Sequence, residues 1–100
     1  MKGSGDTAII AEIWSVIQER AKNPSEESYT SRLLADNKGI DKVLEKVGEE
    51  STEFIIAAKN GVKERTVEEA SDLLFHLLVA LRAADIDLSD VMRELKLRRR

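Results

Sequence analysis

The stretch Lys46-Val47-Gly48-Glu49-Glu50-Ser51-Thr52-Glu53, answered downstream by Val67-Glu68-Glu69-Ala70-Ser71-Asp72-Leu73-Leu74, decides how this chain folds. Each segment holds two acids three residues apart, Glu50 with Glu53 and Glu69 with Asp72. Residues three apart share a helix face, so each pair sends two carboxylates in one direction. Apolar residues recur around them at spacings of three and four. They are Ile40, Val43, Leu44, Val47, Phe54, Ile55 and Ala58 about the first pair, and Val67, Ala70, Leu74, Leu77, Leu78 and Leu81 about the second. This periodicity predicts two long helices, one over about 40–59 and one from between Val62 and Thr66 to about Ala84. Asn60-Gly61 is the stop signal between them.

Residues 7–22 predict a first helix, with Ile9, Ile13 and Ile17 one turn apart and Ile10 and Trp14 beside them. Asp6 is its expected N-cap. Asn23-Pro24 ends it, because the residue before proline avoids the α region. A polar connection over 24–39 contains Ser28-Tyr29-Thr30, with a short helical turn expected from Arg32 to Asp36. Asp85-Ile86-Asp87 reads as a turn, and Asp87 or Ser89 caps a last helix with Val91 and Leu95 on one side. No segment reads as a strand. The expected fold is all-α, an antiparallel helical bundle. Phe54, Ile55, Leu73, Leu77 and Leu81 make the long helices too apolar for so short a chain to cover, so a homodimer is expected to complete the bundle.

Composition sets further bounds. One hundred residues fit a single domain spanning 1–100. The absence of cysteine excludes disulfides, zinc-thiolate sites and thiol catalysis. A net charge of −3 gives nucleic-acid binding no electrostatic support. No apolar run approaches the ~20 residues of a membrane span. Met1 to Asp6 lacks the apolar segment of a secretory signal. A cytoplasmic protein without nucleic-acid or membrane partners is expected.

Four convergent carboxylates repel one another unless a cation neutralises them. Hard oxygen ligands suit Mg²⁺, with Mn²⁺ as the alternative, and Mg²⁺ commonly recruits substrate phosphates. Simpler accounts compete. Glu49, Glu50 and Glu53 fit an ordinary solvated face, and Thr66-x-x-Glu69 matches a capping box. Asp72 falls near the apolar stripe, where an unpaired carboxylate is costly. His76, the lone histidine, is either a hydrogen-bonded core residue or a phosphate contact. One histidine is too few for a di-iron bundle. Lys46 can meet a phosphate or pair with Glu50 one turn on. Gly48 costs its helix ~1 kcal/mol relative to alanine, which points to close packing or ligand approach. Arg98-Arg99-Arg100 complements a helix C-terminus.

The order Glu-Glu-x-x-Glu, fifteen residues, then Glu-x-x-Asp resembles the all-α nucleotide pyrophosphohydrolases. Lys46-Val47-Gly48-Glu49-Glu50, Ser28-Tyr29-Thr30 with Leu33-Leu34, Glu69-Ala70-Ser71-Asp72-Leu73-Leu74-Phe75-His76-Leu77-Leu78 and Leu88-Ser89-Asp90-Val91-Met92-Arg93-Glu94-Leu95 narrow the resemblance. Over about residues 9–98 the chain resembles phosphoribosyl-ATP pyrophosphohydrolase in its stand-alone form. Phe75 stands where many relatives are expected to carry tyrosine. The resemblance implies that the α–β phosphoanhydride of phosphoribosyl-ATP is split into phosphoribosyl-AMP and pyrophosphate, a step of histidine biosynthesis. It implies metal binding by Glu50, Glu53, Glu69 and Asp72. It gives Glu49 the positioning or deprotonation of the attacking water. Lys46, Tyr29, Thr30 and His76 are the expected substrate contacts. A pyrophosphohydrolase of dUTP or damaged nucleotides would share the acids, and a non-catalytic dimerisation module would use them only as surface charge. Ser28-Tyr29-Thr30 favours the first reading, and the pairing of acids near an apolar stripe disfavours the last.

Overall fold

The structure, a computed structural model, describes residues 6–99. Met1 to Gly5, where the absent signal segment was read, and Arg100 of the basic tail lie outside the described residues. The elements are α1 (Ala8–Lys22), α2 (Tyr29–Leu34), α3 (Ile40–Asn60), α4 (Lys63–Ala83) and α5 (Leu88–Arg98). Among the described residues there is no strand, as the periodicity predicts.

Helices α3 and α4 form the central hairpin. Gly61 closes α3 in the left-handed region (φ 74°), and its N–H reaches back to the carbonyls of Ala57 and Ala58. Glycine takes that conformation without the Cβ clash other residues suffer. Val62 then starts α4 directly. The α4 start settles the capping question: Thr66 lies inside the helix, its hydroxyl donating to the Val62 carbonyl at 2.9 Å. Glu69 is therefore a mid-helix residue, not half of a capping box.

Helices α1 and α2 cover this hairpin. Ile17, Leu33, Val43, Leu78, Val79 and Leu88 form the buried core, with Ile10, Ile13, Trp14, Phe75 and Leu81 packed around it. Three boundaries differ from expectation, one of them the end of α2 at Leu34 rather than Asp36. Thr7, not Asp6, is the N-cap of α1. Helix α2 begins at Tyr29 rather than Arg32, because Ser28 caps it: its hydroxyl accepts from the Ser31 N–H at 3.1 Å. The Ser31 hydroxyl in turn donates to the Arg20 carbonyl at 2.8 Å and ties α2 to α1. The Ser28-Tyr29-Thr30 motif thus initiates a helix instead of forming a loop.

Asp87 caps α5, accepting from the Ser89 N–H at 2.8 Å. Leu88 alone of α5 is buried, and Met92, Leu95 and Leu97 are exposed. Arg98, in the last turn, pairs with Glu94 at 2.7 Å. Much of the predicted apolar stripe is also uncovered: Ile40, Leu44 and Ile55 on α3, Val67, Leu74 and Leu77 on α4. The expected dimer residues Phe54, Leu73 and Leu81 are half-buried within the monomer.

Candidate active site

Packing α3 against α4 brings Glu50 beside Glu69 and Asp72. One carboxylate oxygen from each lies within 4.8 Å of the others. The burial is uneven. Glu50 and Glu69 are 7% and 4% exposed, whereas Asp72 is exposed. The sequence placed the costly burial on Asp72; the helix pairing shifts it to its two partners. Glu53 stands outside the trio and is exposed. The Glu50 charge, followed by a hydrogen bond with Glu69, pushes the Glu53 carboxyl above its usual range.

The buried oxygens Oε1 of Glu50 and Oε1 of Glu69 have no hydrogen-bond partner. Leaving buried carboxylate oxygens unpaired is costly, since desolvating such an ion costs several kcal/mol. Partial neutralisation comes from two cations. The Arg65 guanidinium reaches Glu69 Oε2 and also Glu68. Lys46 Nζ lies 3.2 Å from Glu49 Oε1 and 3.6 Å from Glu50 Oε2. The hydrogen bond to Glu49 raises the Lys46 ammonium above its usual pKa. Arg65 was missed in the sequence, although its i,i+4 spacing to Glu69 is a readable signal. Neither cation reaches the two orphaned oxygens. An all-oxygen donor set with two buried, unpartnered atoms fits a hard divalent cation.

Glu49 is exposed and lies outside the trio, and Lys46 bridges its carboxylate to that of Glu50. Adjacent residues diverge by ~100° on a helix, so Glu49 leaves α3 at a different angle from Glu50.

Tyr29 and His76 frame the other side. The His76 ring is buried, with Nδ1 2.7 Å from the Asp72 carbonyl oxygen and Nε2 2.8 Å from the Tyr29 hydroxyl. A carbonyl only accepts, so Nδ1 donates; in the neutral ring Nε2 then accepts from the Tyr29 O–H. Both ring nitrogens are therefore committed within the protein, which matches the core-histidine account. Phe75 stacks edge-on to His76 with ring centroids 5.1 Å apart. Tyr29 itself is partly open to solvent. Burial, opposed by Lys46 and reinforced by Glu50, Glu49 and Asp72, raises its hydroxyl above the usual pKa. Thr30, beside it, is buried.

The sequence matches the phosphoribosyl-ATP pyrophosphohydrolase family over residues 10–99. The chain belongs to that family. Its relatives include the phosphoribosyl-ATP pyrophosphatase of Methanoregula boonei, 73% identical over 95 residues, covering 95% of this chain and 91% of the relative. The enzyme of the same name from Methanosphaerula palustris is 64% identical over 95% of this chain and 96% of the relative. A histidine biosynthesis bifunctional protein of Gloeobacter violaceus is 48% identical over 91% of this chain and 40% of its own length. This phosphoribosyl-ATP pyrophosphohydrolase family member has no helix, among its described residues, long and apolar enough to cross a membrane.

Proposed function

We propose that this chain hydrolyses the α–β phosphoanhydride of phosphoribosyl-ATP, releasing pyrophosphate and phosphoribosyl-AMP, the second step of histidine biosynthesis. The observation that carries the reading is the pair of buried, unpartnered carboxylate oxygens on Glu50 and Glu69, two members of a trio with Asp72, in a chain of this family. Glu50, Glu69 and Asp72 would hold Mg²⁺ or Mn²⁺, with Glu53 joining them from the next turn. A bound divalent cation neutralises phosphate charge and acidifies water, which is most of what phosphoryl transfer requires.

The remaining roles fall to this chain's own groups. Glu49, exposed beside the trio and held by Lys46, positions the attacking water and takes its proton. Lys46, between Glu49 and Glu50, would present its remaining N–H donors to the substrate phosphates. Tyr29 covers the ribose. His76 holds Tyr29 and the Asp72 turn in register, and Thr30, next to Tyr29 in the first turn of α2, is buried. The whole chain acts as one domain. The protein is a cytoplasmic homodimer, assembled through the uncovered apolar stripes of α3 and α4, and it needs no nucleic-acid or membrane partner.

Pyrophosphate release from phosphoribosyl-ATP, dUTP and ATP, each with and without Mg²⁺, tests the reading. Fast, Mg²⁺-dependent release from phosphoribosyl-ATP alone is expected. A preference for dUTP would replace the reading with nucleotide house-cleaning.

A further inference from the structure

Beside the acids, α2 and the first half of α3 enclose a cleft of about 270 Å³ between Tyr29, Arg32, Leu33, Asp36, Lys42 and Lys46. Its sign is opposite to that of the carboxylate trio: three cations against one acid. That acid is partly engaged, since Asp36 Oδ1 accepts from the Lys38 N–H at 2.9 Å. Arg32 spends one N–H on the Glu26 carbonyl at 2.8 Å and, among the described residues, pairs with no carboxylate. Lys42 likewise pairs with none, whereas its neighbour Lys38 is closed against Glu45 at 2.9 Å. Lys46 joins the two regions, lining the cleft while its ammonium is engaged by Glu49 at 3.2 Å and Glu50 at 3.6 Å, which leaves Arg32 and Lys42 as the open cations. Tyr29 stands at the same boundary.

We infer that this basic cleft is a second anion subsite, in which Arg32 and Lys42 bind the phosphomonoester of the substrate's phosphoribosyl group. The inference rests on phosphoribosyl-ATP being the substrate. That molecule has two anionic ends separated by a nucleoside. The triphosphate suits the acids, where a cation can bridge. The phosphomonoester has no such bridge and needs donors of its own. An arginine fork and a lysine ammonium supply them. ATP and dUTP lack the second anion and leave the cleft empty, so selection against them follows from the cleft rather than from the acids. Cleavage leaves the phosphomonoester on phosphoribosyl-AMP, so one product keeps the contact and pyrophosphate loses it.

The double variant Arg32→Gln with Lys42→Gln tests this, with Arg32 exposed, Lys42 half-buried and the fold checked by circular dichroism. Both KM for phosphoribosyl-ATP and Ki for phosphoribosyl-AMP are expected to rise about ten-fold or more, with kcat, Mn²⁺ affinity and Ki for pyrophosphate changing less than about two-fold. Lys96→Gln, a charge loss on α5, should leave all of these at wild-type values. Arg32→Lys, which keeps charge but loses the fork, should fall between. An unchanged KM in the double variant overturns the subsite. So does an equal weakening of both products, which would mean diffuse electrostatics. Wild-type protein that releases no pyrophosphate from phosphoribosyl-ATP instead overturns the underlying activity, a separable outcome.

Discussion

Helices α3 and α4 violate the usual segregation of residues twice, on different faces. Toward each other they bury Glu50 and Glu69, with orphaned oxygens. Away from each other they expose Leu44 and Ile55 on α3 and Val67 and Leu74 on α4, with Ile55 at 63%. Buried charge and exposed apolar stripes are each unfavourable in a lone, metal-free chain. They call for different remedies. On the proposed reading, a cation would relieve the first and a second copy of the chain the second, so that one helix pair would carry catalysis on one side and assembly on the other.

The inner face breaks first if the carboxylates are not there for a cation. Glu50→Gln and Glu69→Gln should each lower turnover about 10²–10³-fold, the scale of losing a principal electrostatic group. In chelator, the same variants should melt higher than wild type by several degrees, about 1 kcal/mol or more, because a buried charge has been removed. Activity and metal-free stability must move in opposite directions. A metal-free melting temperature that falls would show that burial of these acids is structural. Combining Glu50→Gln with Asp72→Asn should lose far less than the product of the single losses, since ligands of one ion act as a unit.

The outer face has its own test. Burying Leu74 across an interface is worth about 1.5–3 kcal/mol, and placing a charge there adds a further cost. Leu74→Lys should therefore weaken self-association about 100-fold or more. Light scattering at micromolar concentration should show wild type as a dimer and the variant at 11.2 kDa. Wild type running at 11.2 kDa would remove the assembly half of the comparison.

Glu49 tests the division of labour among the acids, because it lies outside the trio yet shares Lys46 with Glu50. Glu49→Gln should lower turnover about 10–100-fold while leaving Mn²⁺ affinity within a few-fold. A large loss of Mn²⁺ affinity would reassign it as a ligand.

Sequence reasoning reached unequal depths across these elements. Helices α3 and α4 were legible because their apolar period is long and Asn60-Gly61 ends the first of them. Helix α2 is read three residues late at its start and two at its end, since a helix of six residues has little period to detect. Its Ser28 cap was hidden in a stretch that looked like a polar loop. The spacing of Glu50, Glu53, Glu69 and Asp72 showed which acids share a face. It could not show which of them are buried, because burial depends on how α3 and α4 are rotated against each other. Asp72 was expected near the core and is exposed, while Glu69, which looked like a cap, is buried. Arg32 and Lys42 were passed over because their common cleft exists only once α2 docks on α3.

Gly48 offers the finest probe of the outer face. A glycine inside a helix costs ~1 kcal/mol relative to alanine, so its place in α3 asks for a reason. A Cβ added there would meet nothing within 4 Å, so packing inside the monomer is not that reason. Gly48 lies four residues after Leu44 and seven before Ile55, on the face turned away from Glu50. Small Ser51 falls on the same face. Leu44 and Ile55 are exposed, so a small residue between them leaves a notch in an uncovered apolar stripe. If a second copy seats a side chain in that notch, Gly48→Ala should weaken dimerisation about ten-fold, near 1.4 kcal/mol, with turnover unchanged at protein concentrations that keep the dimer intact. Analytical ultracentrifugation across a dilution series reads the change. If α3 merely tolerates the glycine, alanine should instead stabilise the protein by about 1 kcal/mol and leave association untouched. The two outcomes have opposite signs, so one substitution decides whether the outer stripe is an interface shaped to fit or only apolar surface.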